Sequence, residues 1–184
     1  MDLILLIGLQ ASGKSTFYRT HFAATHEHVS KDLFPNNRNP NKRQLQLIEN
    51  AFQAHRPVVV DNTNPTVEIR EPLIQLGRTY DARIIGYYFE SEVRQCIARN
   101  KQRTGKGKVP DVAIYVTSRK LTRPTYAEGF DELYYVRIAD NGTFTVQGWA
   151  ENETIPLQSQ PSVHPQVSPP IEKPSQHPVK QNDA

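Results

Sequence analysis

The chain has 184 residues, a formal net charge of +3 and one cysteine, Cys96. That length favours one domain over two and suffices for a real core. It holds no run of 18 apolar residues, which excludes a membrane-spanning helix, and a single cysteine excludes an internal disulfide. The opening run "LILLIG" has no basic residues before it and leads straight into glycines. It is therefore expected to be a first strand and not a signal peptide, with the cytoplasm as the default home. Charge is uneven. Residues from 151 onward carry Lys173 and Lys180 against Glu151, Glu153, Glu172 and Asp183, which leaves 20 basic and 15 acidic residues in the first 150. A mildly basic body suits an anionic partner without specifying one.

In chain order, "LILLIG" reads as a buried strand and "GLQASGKST" follows it at residues 8 to 16. Gly8, Gly13, Lys14 and Ser15 fit the phosphate-cradle pattern G-x-x-x-x-G-K-[ST], and the next residues, "FYRTHFAATH", suit a helix. In such a loop the backbone N–H groups of Gly8, Leu9, Gln10, Ala11, Ser12, Gly13, Lys14, Ser15 and Thr16 surround phosphates, and the helix dipole favours the anion. Lys14 reaches the β- and γ-phosphates of ATP, and Ser15 offers its hydroxyl to Mg²⁺. A tight glycine turn beside a surface lysine is the bland alternative. The cradle alone does not distinguish a kinase, an ATPase and a switch.

"EHVSK" is expected to be a short strand that leaves Asp32 just past its carboxyl end. In an open α/β sheet that edge faces the ligand crevice. A carboxylate there would take the proton of an attacking hydroxyl, although a helix cap or a solvated charge accounts for Asp32 equally well. His26 and His28 flank this strand and read as surface residues. "KRQLQLIENAFQA" spaces Leu45, Ile48, Ala51 and Phe52 at helical intervals. "PVVVDNTN" is an apolar strand ending in Asp61, the place for an acid that helps hold Mg²⁺ or its waters, with Asn62, Thr63 and Asn64 at the same edge.

"TVEIREPLIQLG" reads as a helix closed by Gly77, "ARIIGYYF" as a strand, and "SEVRQCIARNKQR" as a helix with Ser91 as cap and Cys96 as a buried inert thiol. Arg99 and Arg103 stand four apart on one helical face, and Gly105 and Gly107 then loosen the chain. A cationic, glycine-containing loop suits a lid over phosphates; a solvated basic helix end is the competing reading. "PDVAIYVTSRKL" starts with a first-turn proline and reads as a helix, "ELYYVRI" as a strand and "GTFTV" as a short last one. Alternating strands and helices predict an α/β, P-loop NTPase or kinase-like three-layer fold around a mostly parallel sheet. Residues 1–150 would form this kinase domain. Residues 151–184 hold half of the 14 prolines and no aromatic residue, and are expected to be a disordered tail. Within it, His164 and His177 lie too far apart to read as a metal site.

Taken in order, "GLQASGKSTF", "VSKD", "VVVDNTNP", "ARNKQR" with "KVP", and "RPTYAEGF" resemble the 5′-hydroxyl polynucleotide kinase family. The resemblance covers residues 3 to 138, and "DNTNP" and "PTYAEGF" are its most specific parts. It implies transfer of the ATP γ-phosphate to a nucleic-acid 5′-OH. It further implies that Lys14 and Ser15 hold ATP and Mg²⁺, that Asp32 is the general base, and that Arg103, with Arg99 one turn earlier, engages the ATP phosphates. Asp61 matches the family's strand-end aspartate and, with Asn62 beside it, is expected to face the acceptor; "PTYAEGF" matches a supporting segment containing Glu128. Two departures stand out. Lys31 replaces the arginine that usually precedes the base, and the arginine that orients the acceptor falls at Arg43 or Arg38, depending on the anchor counted from. A small-molecule kinase on the same fold and a non-catalytic ATP-binding switch are the alternatives. Asp32 together with Arg103 argues against the switch.

Overall fold

The computed structural model describes residues 1–150 apart from Asp140. The expected disordered tail, with its two histidines, lies outside the described residues. Five parallel strands and one antiparallel strand form a single sheet in the order β2-β3-β1-β4-β5-β6. These are β1 (Asp2–Ile7), β2 (Glu27–Val29), β3 (Val58–Asp61), β4 (Arg83–Phe89), β5 (Glu132–Ile138) and β6 (Phe144–Gly148). The helices are α1 (Lys14–His21), α2 (Pro40–Gln53), α3 (Val67–Thr79), α4 (Val93–Lys101) and α5 (Asp111–Lys120). None of them is long and apolar enough to cross a membrane.

The layers follow from the period-two alternation of side chains along buried strands. Leu3, Leu5 and Ile7 of β1, with Val58 and Val60 of β3, face α2 and α3 and pack on Ile48, Phe52, Leu73 and Ile74. The alternate residues Ile4, Leu6 and Val59 face Phe17 and Tyr18 of α1. Both faces are covered, so β1 and β3 read as continuous apolar runs, as parallel sheets require. Each fully buried Leu, Ile, Val or Phe contributes roughly 1.5–3 kcal/mol by leaving water. A third, smaller cluster joins Leu9 to Cys96 of α4 and Ile114 of α5. Cys96 is buried there, and burial pushes its thiol up, as befits an inert core residue.

Several boundaries differ from the sequence expectation. Helix α2 begins at Pro40, because the Asn39 side chain accepts a hydrogen bond from Lys42 N and caps it. Gly77 lies inside α3 and does not close it. A Cβ there would sit 2.5 Å from Ile84 Cδ1 and 2.8 Å from Leu3 Cδ2, so this glycine serves close approach of helix to sheet. Ser91 does not cap α4, whose N-cap is Glu92. Its hydroxyl instead donates to Phe89 O and accepts from Leu9 N at 3.1 Å, joining the end of β4 to the cradle. The strand order reverses direction at β1. Ligands of open α/β sheets bind at such a switch point, outside the carboxyl ends of the strands.

Candidate active site

The loop between β1 and α1 wraps around its own lysine. Gly8 and Gly13 have φ of 149° and 103°, and Ala11 also takes a positive φ, 59°. A Cβ on Gly13 would lie 2.8 Å from Ile138 Cδ1, so a side chain is excluded by both backbone and space. Lys14 Nζ donates to Gly8 O at 3.0 Å, to Leu9 O and to Ser12 Oγ at 3.3 Å. Burial pushes the Lys14 ammonium down to about 8. The Asp61 carboxylate opposes this, the Arg103 guanidinium adds to it, and Asp32 opposes it. Two side chains brace the loop from outside. Gln10 Nε2 donates to Thr117 Oγ1 of α5 at 2.9 Å, and Arg99 Nε of α4 donates to Ala11 O at 2.8 Å. Thr16 is exposed and accepts from Arg19 at 3.1 Å.

Asp61 ends β3 almost fully buried, at 5% exposure. Burial by itself would raise its pKa. Hydrogen bonds from His28 and Ser15 and the charge of Lys14 outweigh that and hold the carboxyl below its ordinary range. His28 is thus not the surface residue expected. Its Nε2 lies 3.2 Å from Asp61 Oδ2, and its ring stacks on Tyr18 with centroids 4.0 Å apart. His26 is half-buried too, with Nδ1 2.8 Å from Thr25 Oγ1.

Asp32 sits in a single 3₁₀ turn, Lys31–Leu33, where its backbone N–H donates to Ser30 Oγ. Its side chain is exposed. Asn62 fixes that turn. It accepts from Lys31 N at 3.0 Å and donates to Gln44 Oε1 of α2 at 3.1 Å. Both bonds run to protein groups, so Asn62 here positions the Asp32 turn. Arg38 is exposed and Arg43 is half-buried, and Arg43 donates to Gln46 on its own helix.

The basic segment after α4 is anchored at both ends. Arg103 donates to Gly107 O at 3.2 Å across a short 3₁₀ turn, Gly105–Gly107. Asn100, fully buried, donates to Val109 O at 2.7 Å and to Asp111 Oδ1 at 3.0 Å, and accepts from Val109 N at 3.1 Å. The turn bearing Arg103 therefore projects from a closed stem. Asn100 was legible only as the residue four after Cys96, on the inward face of α4.

The two most specific segments of the resemblance are joined by a residue that the sequence reading passed over. Arg70 of α3 is fully buried, and it donates to Glu128 at 2.7 and 2.8 Å, to Asn64 O at 3.1 Å and to Thr122 O at 3.2 Å. It ties "DNTNP" to "PTYAEGF". Asn64 in turn donates to Leu6 O at 2.8 Å, and Gly8 N donates to Thr63 O at 3.0 Å, so the network ends at the cradle. The available signal was helical spacing: Arg70 precedes the apolar Leu73 and Ile74 by three and four positions.

The donors suit a magnesium ion. Ser15 and Asp61 offer hard oxygens, and among the described residues no cluster of three or more His, Cys, Asp or Glu forms a cage. Mg²⁺ is commonly held this way, through one or two protein oxygens, phosphate oxygens and waters. Bound there, it would neutralise charge on the β- and γ-phosphates.

Comparison with known proteins agrees with this geometry. A bifunctional polynucleotide phosphatase/kinase of Schizosaccharomyces pombe is 26% identical over 136 residues, covering 70% of this chain. The match spans 32% of that relative, so the chain corresponds to about a third of its length. Among solved structures, Kti12 of Chaetomium thermophilum in complex with ADP-AlF3 superposes with a TM-score of 0.65 at 13% identity, over 77% of this chain and 93% of that one. A gluconokinase from Sinorhizobium meliloti gives 0.55 at 18% identity, over 75% and 83%. The family model described as an AAA domain matches residues 3–124, two thirds of the sequence. The chain therefore belongs to the AAA domain family and has the fold of the P-loop kinases.

Proposed function

We propose that this protein is an ATP-dependent kinase that transfers the γ-phosphate to the 5′-hydroxyl end of a nucleic acid. The observation that carries the reading is the glycine cradle closed around the buried Lys14 at the carboxyl ends of the strands, where Asp61 ends β3 and the Asp32 turn follows β2. In the reaction, Asp32 takes the proton of the 5′-OH, the oxygen attacks the γ-phosphorus, and the bond to the β-phosphate oxygen breaks to release ADP. Lys14 leaves the cradle carbonyls for the phosphates, and Arg103 meets the charge that develops as the bond breaks. Asn62 holds the Asp32 turn against α2 during transfer.

The acceptor is the finer part of the proposal. Support comes from the relative named above, from the resemblance of "DNTNP" and "PTYAEGF", and from the basic body. A small-molecule acceptor on the same fold is the competing reading. The cleft beside the Asp32 turn, lined by Lys31, Gln44, Leu45, Glu68, Ile69 and Leu73 among others, has a volume of about 110 Å³. Small-molecule sites typically run to ~300–1,000 Å³, so this cleft is too small to enclose such an acceptor by itself. The test offers γ-labelled ATP with a 5′-OH oligonucleotide, free nucleosides and a sugar panel. Label in the oligonucleotide alone is expected. Efficient labelling of a small metabolite, with none at any 5′-OH end at low salt, would promote the competitor.

A further inference from the structure

We propose that His28 is a positioning residue for the metal side of the site: its Nε2–H holds the Asp61 carboxylate in the orientation that Ser15 and a nucleotide-bound divalent cation require. The inference rests on the nucleotide-binding reading but not on the identity of the acceptor.

The geometry is specific. His28 and Asp61 lie on adjacent parallel strands, with His28 in register with Val59. Val59 faces α1, and side chains alternate along a strand, so Asp61, two residues on, points to that same layer. Asp61 is ionised and accepts only, so the Nε2 atom facing it at 3.2 Å carries the proton. The ring is held in turn by Tyr18, at an interplanar angle of 10°. Tyr18 lies three residues after Ser15 on α1, and its hydroxyl donates to His26 O at 3.3 Å. One helix therefore supplies both the hydroxyl that shares Asp61 and the platform that orients the imidazole. This closes a circuit Ser15–Asp61–His28–Tyr18 across α1, β2 and β3.

A carboxylate with two donors fixed on it has little freedom left. If Ser15 Oγ gave a lone pair to the cation, its O–H would still donate to Asp61, and His28 would keep the carboxylate from rotating away. Outer groups that orient metal-side ligands typically carry ~10–100-fold in metal affinity.

Two variants separate the hydrogen bond from the ring. His28→Phe keeps the stacked ring and loses the donor; His28→Gln loses the ring and keeps an N–H donor at similar reach. ADP affinity is measured by calorimetry, with saturating magnesium chloride and with EDTA, and melting temperature is recorded alongside. In the wild type magnesium should strengthen ADP binding. His28→Phe should lose about tenfold of that strengthening, with ADP affinity in EDTA unchanged, and His28→Gln should stay close to wild type. Equal magnesium dependence in wild type and His28→Phe overturns the proposal. So does a loss confined to His28→Gln, which would assign the role to ring packing, and so does an equal loss in both variants, which would show that an N–H donor at this position is not enough. If ADP does not bind the wild type, the nucleotide reading fails and this inference with it; if ADP binds and magnesium has no effect, this inference alone fails.

Discussion

In the proposed reaction Lys14 and Asp32 act from opposite settings, one buried and committed to its own loop, the other exposed. Lys14→Ala should abolish transfer, since the cation facing the β- and γ-phosphates is lost where charge develops; near wild-type turnover in that variant would remove the kinase reading. Asp32→Asn should retain ATP affinity and lose transfer by ~10²–10⁴, because the amide keeps the shape and cannot take the proton. A collapse of ATP binding with turnover preserved would make Asp32 a nucleotide-site residue. A pH effect follows from Lys14 as well. Its folded-state pKa of about 8 lies below the ordinary 10.5. Between these values the unfolded chain holds a proton that the folded chain has released, so the unliganded protein gains stability from this group as pH rises through that window. Bound phosphates restore the charged form. ATP binding at about pH 9 should therefore take up a proton, visible as a dependence of binding enthalpy on buffer, and Lys14→Met should remove that dependence.

At the scale of elements, the site is held by short polar ties between segments that are far apart in sequence. The pair Arg70–Glu128 is the most consequential, with side-chain exposures of 0% and 7%. Removing either partner leaves a buried charge unpaired, which costs ~3–5 kcal/mol. Arg70→Met and Glu128→Gln should each lower stability on that order in denaturant unfolding, and the double variant should lose clearly less than the sum. Strict additivity would show that the two side chains act separately. The same variants should impair transfer, because Arg70 also holds Asn64 O beside the cradle. Asn100 plays the matching part under the basic turn, where its three hydrogen bonds and the Leu9, Cys96 and Ile114 cluster tie α4 to α5 and the segment leading to it.

For the molecule as a whole, the proposed acceptor makes a distinct demand: an oligonucleotide brings phosphates beyond the reacting end. Binding that neutralises them releases counterions, so oligonucleotide affinity should fall as salt rises, while a neutral nucleoside shows little dependence. Arg43→Ala, with Arg38→Ala as its companion, should reduce oligonucleotide use and the salt slope while sparing ATP binding. A salt slope unchanged in both would assign the acceptor contacts elsewhere on the basic body. Truncation after residue 150 should leave transfer intact, because no proposed site group follows Trp149. Trp149 itself belongs to the body: its N–H donates to Leu133 O, its ring packs on Tyr88, and Arg123 lies 4.5 Å from the ring centroid.

The strand-and-helix order, the cradle and the strand-end position of Asp61 were legible in the sequence, because each is a local pattern. Apolar runs, glycine spacing and helical periodicity act over a few residues, and no distant contact is needed to produce them. What only the tertiary structure decided are the partnerships. His28 and Asp61 meet because β2 and β3 are neighbours in the sheet. Arg70 finds Glu128, and Asn62 finds Gln44, only once α2 and α3 lie on one face. A histidine or arginine within an amphipathic segment carries no local sign of whether its polar end meets water or a buried partner. That is set by which chain segments the packed core brings within hydrogen-bonding distance, and burial then makes the pairing obligatory.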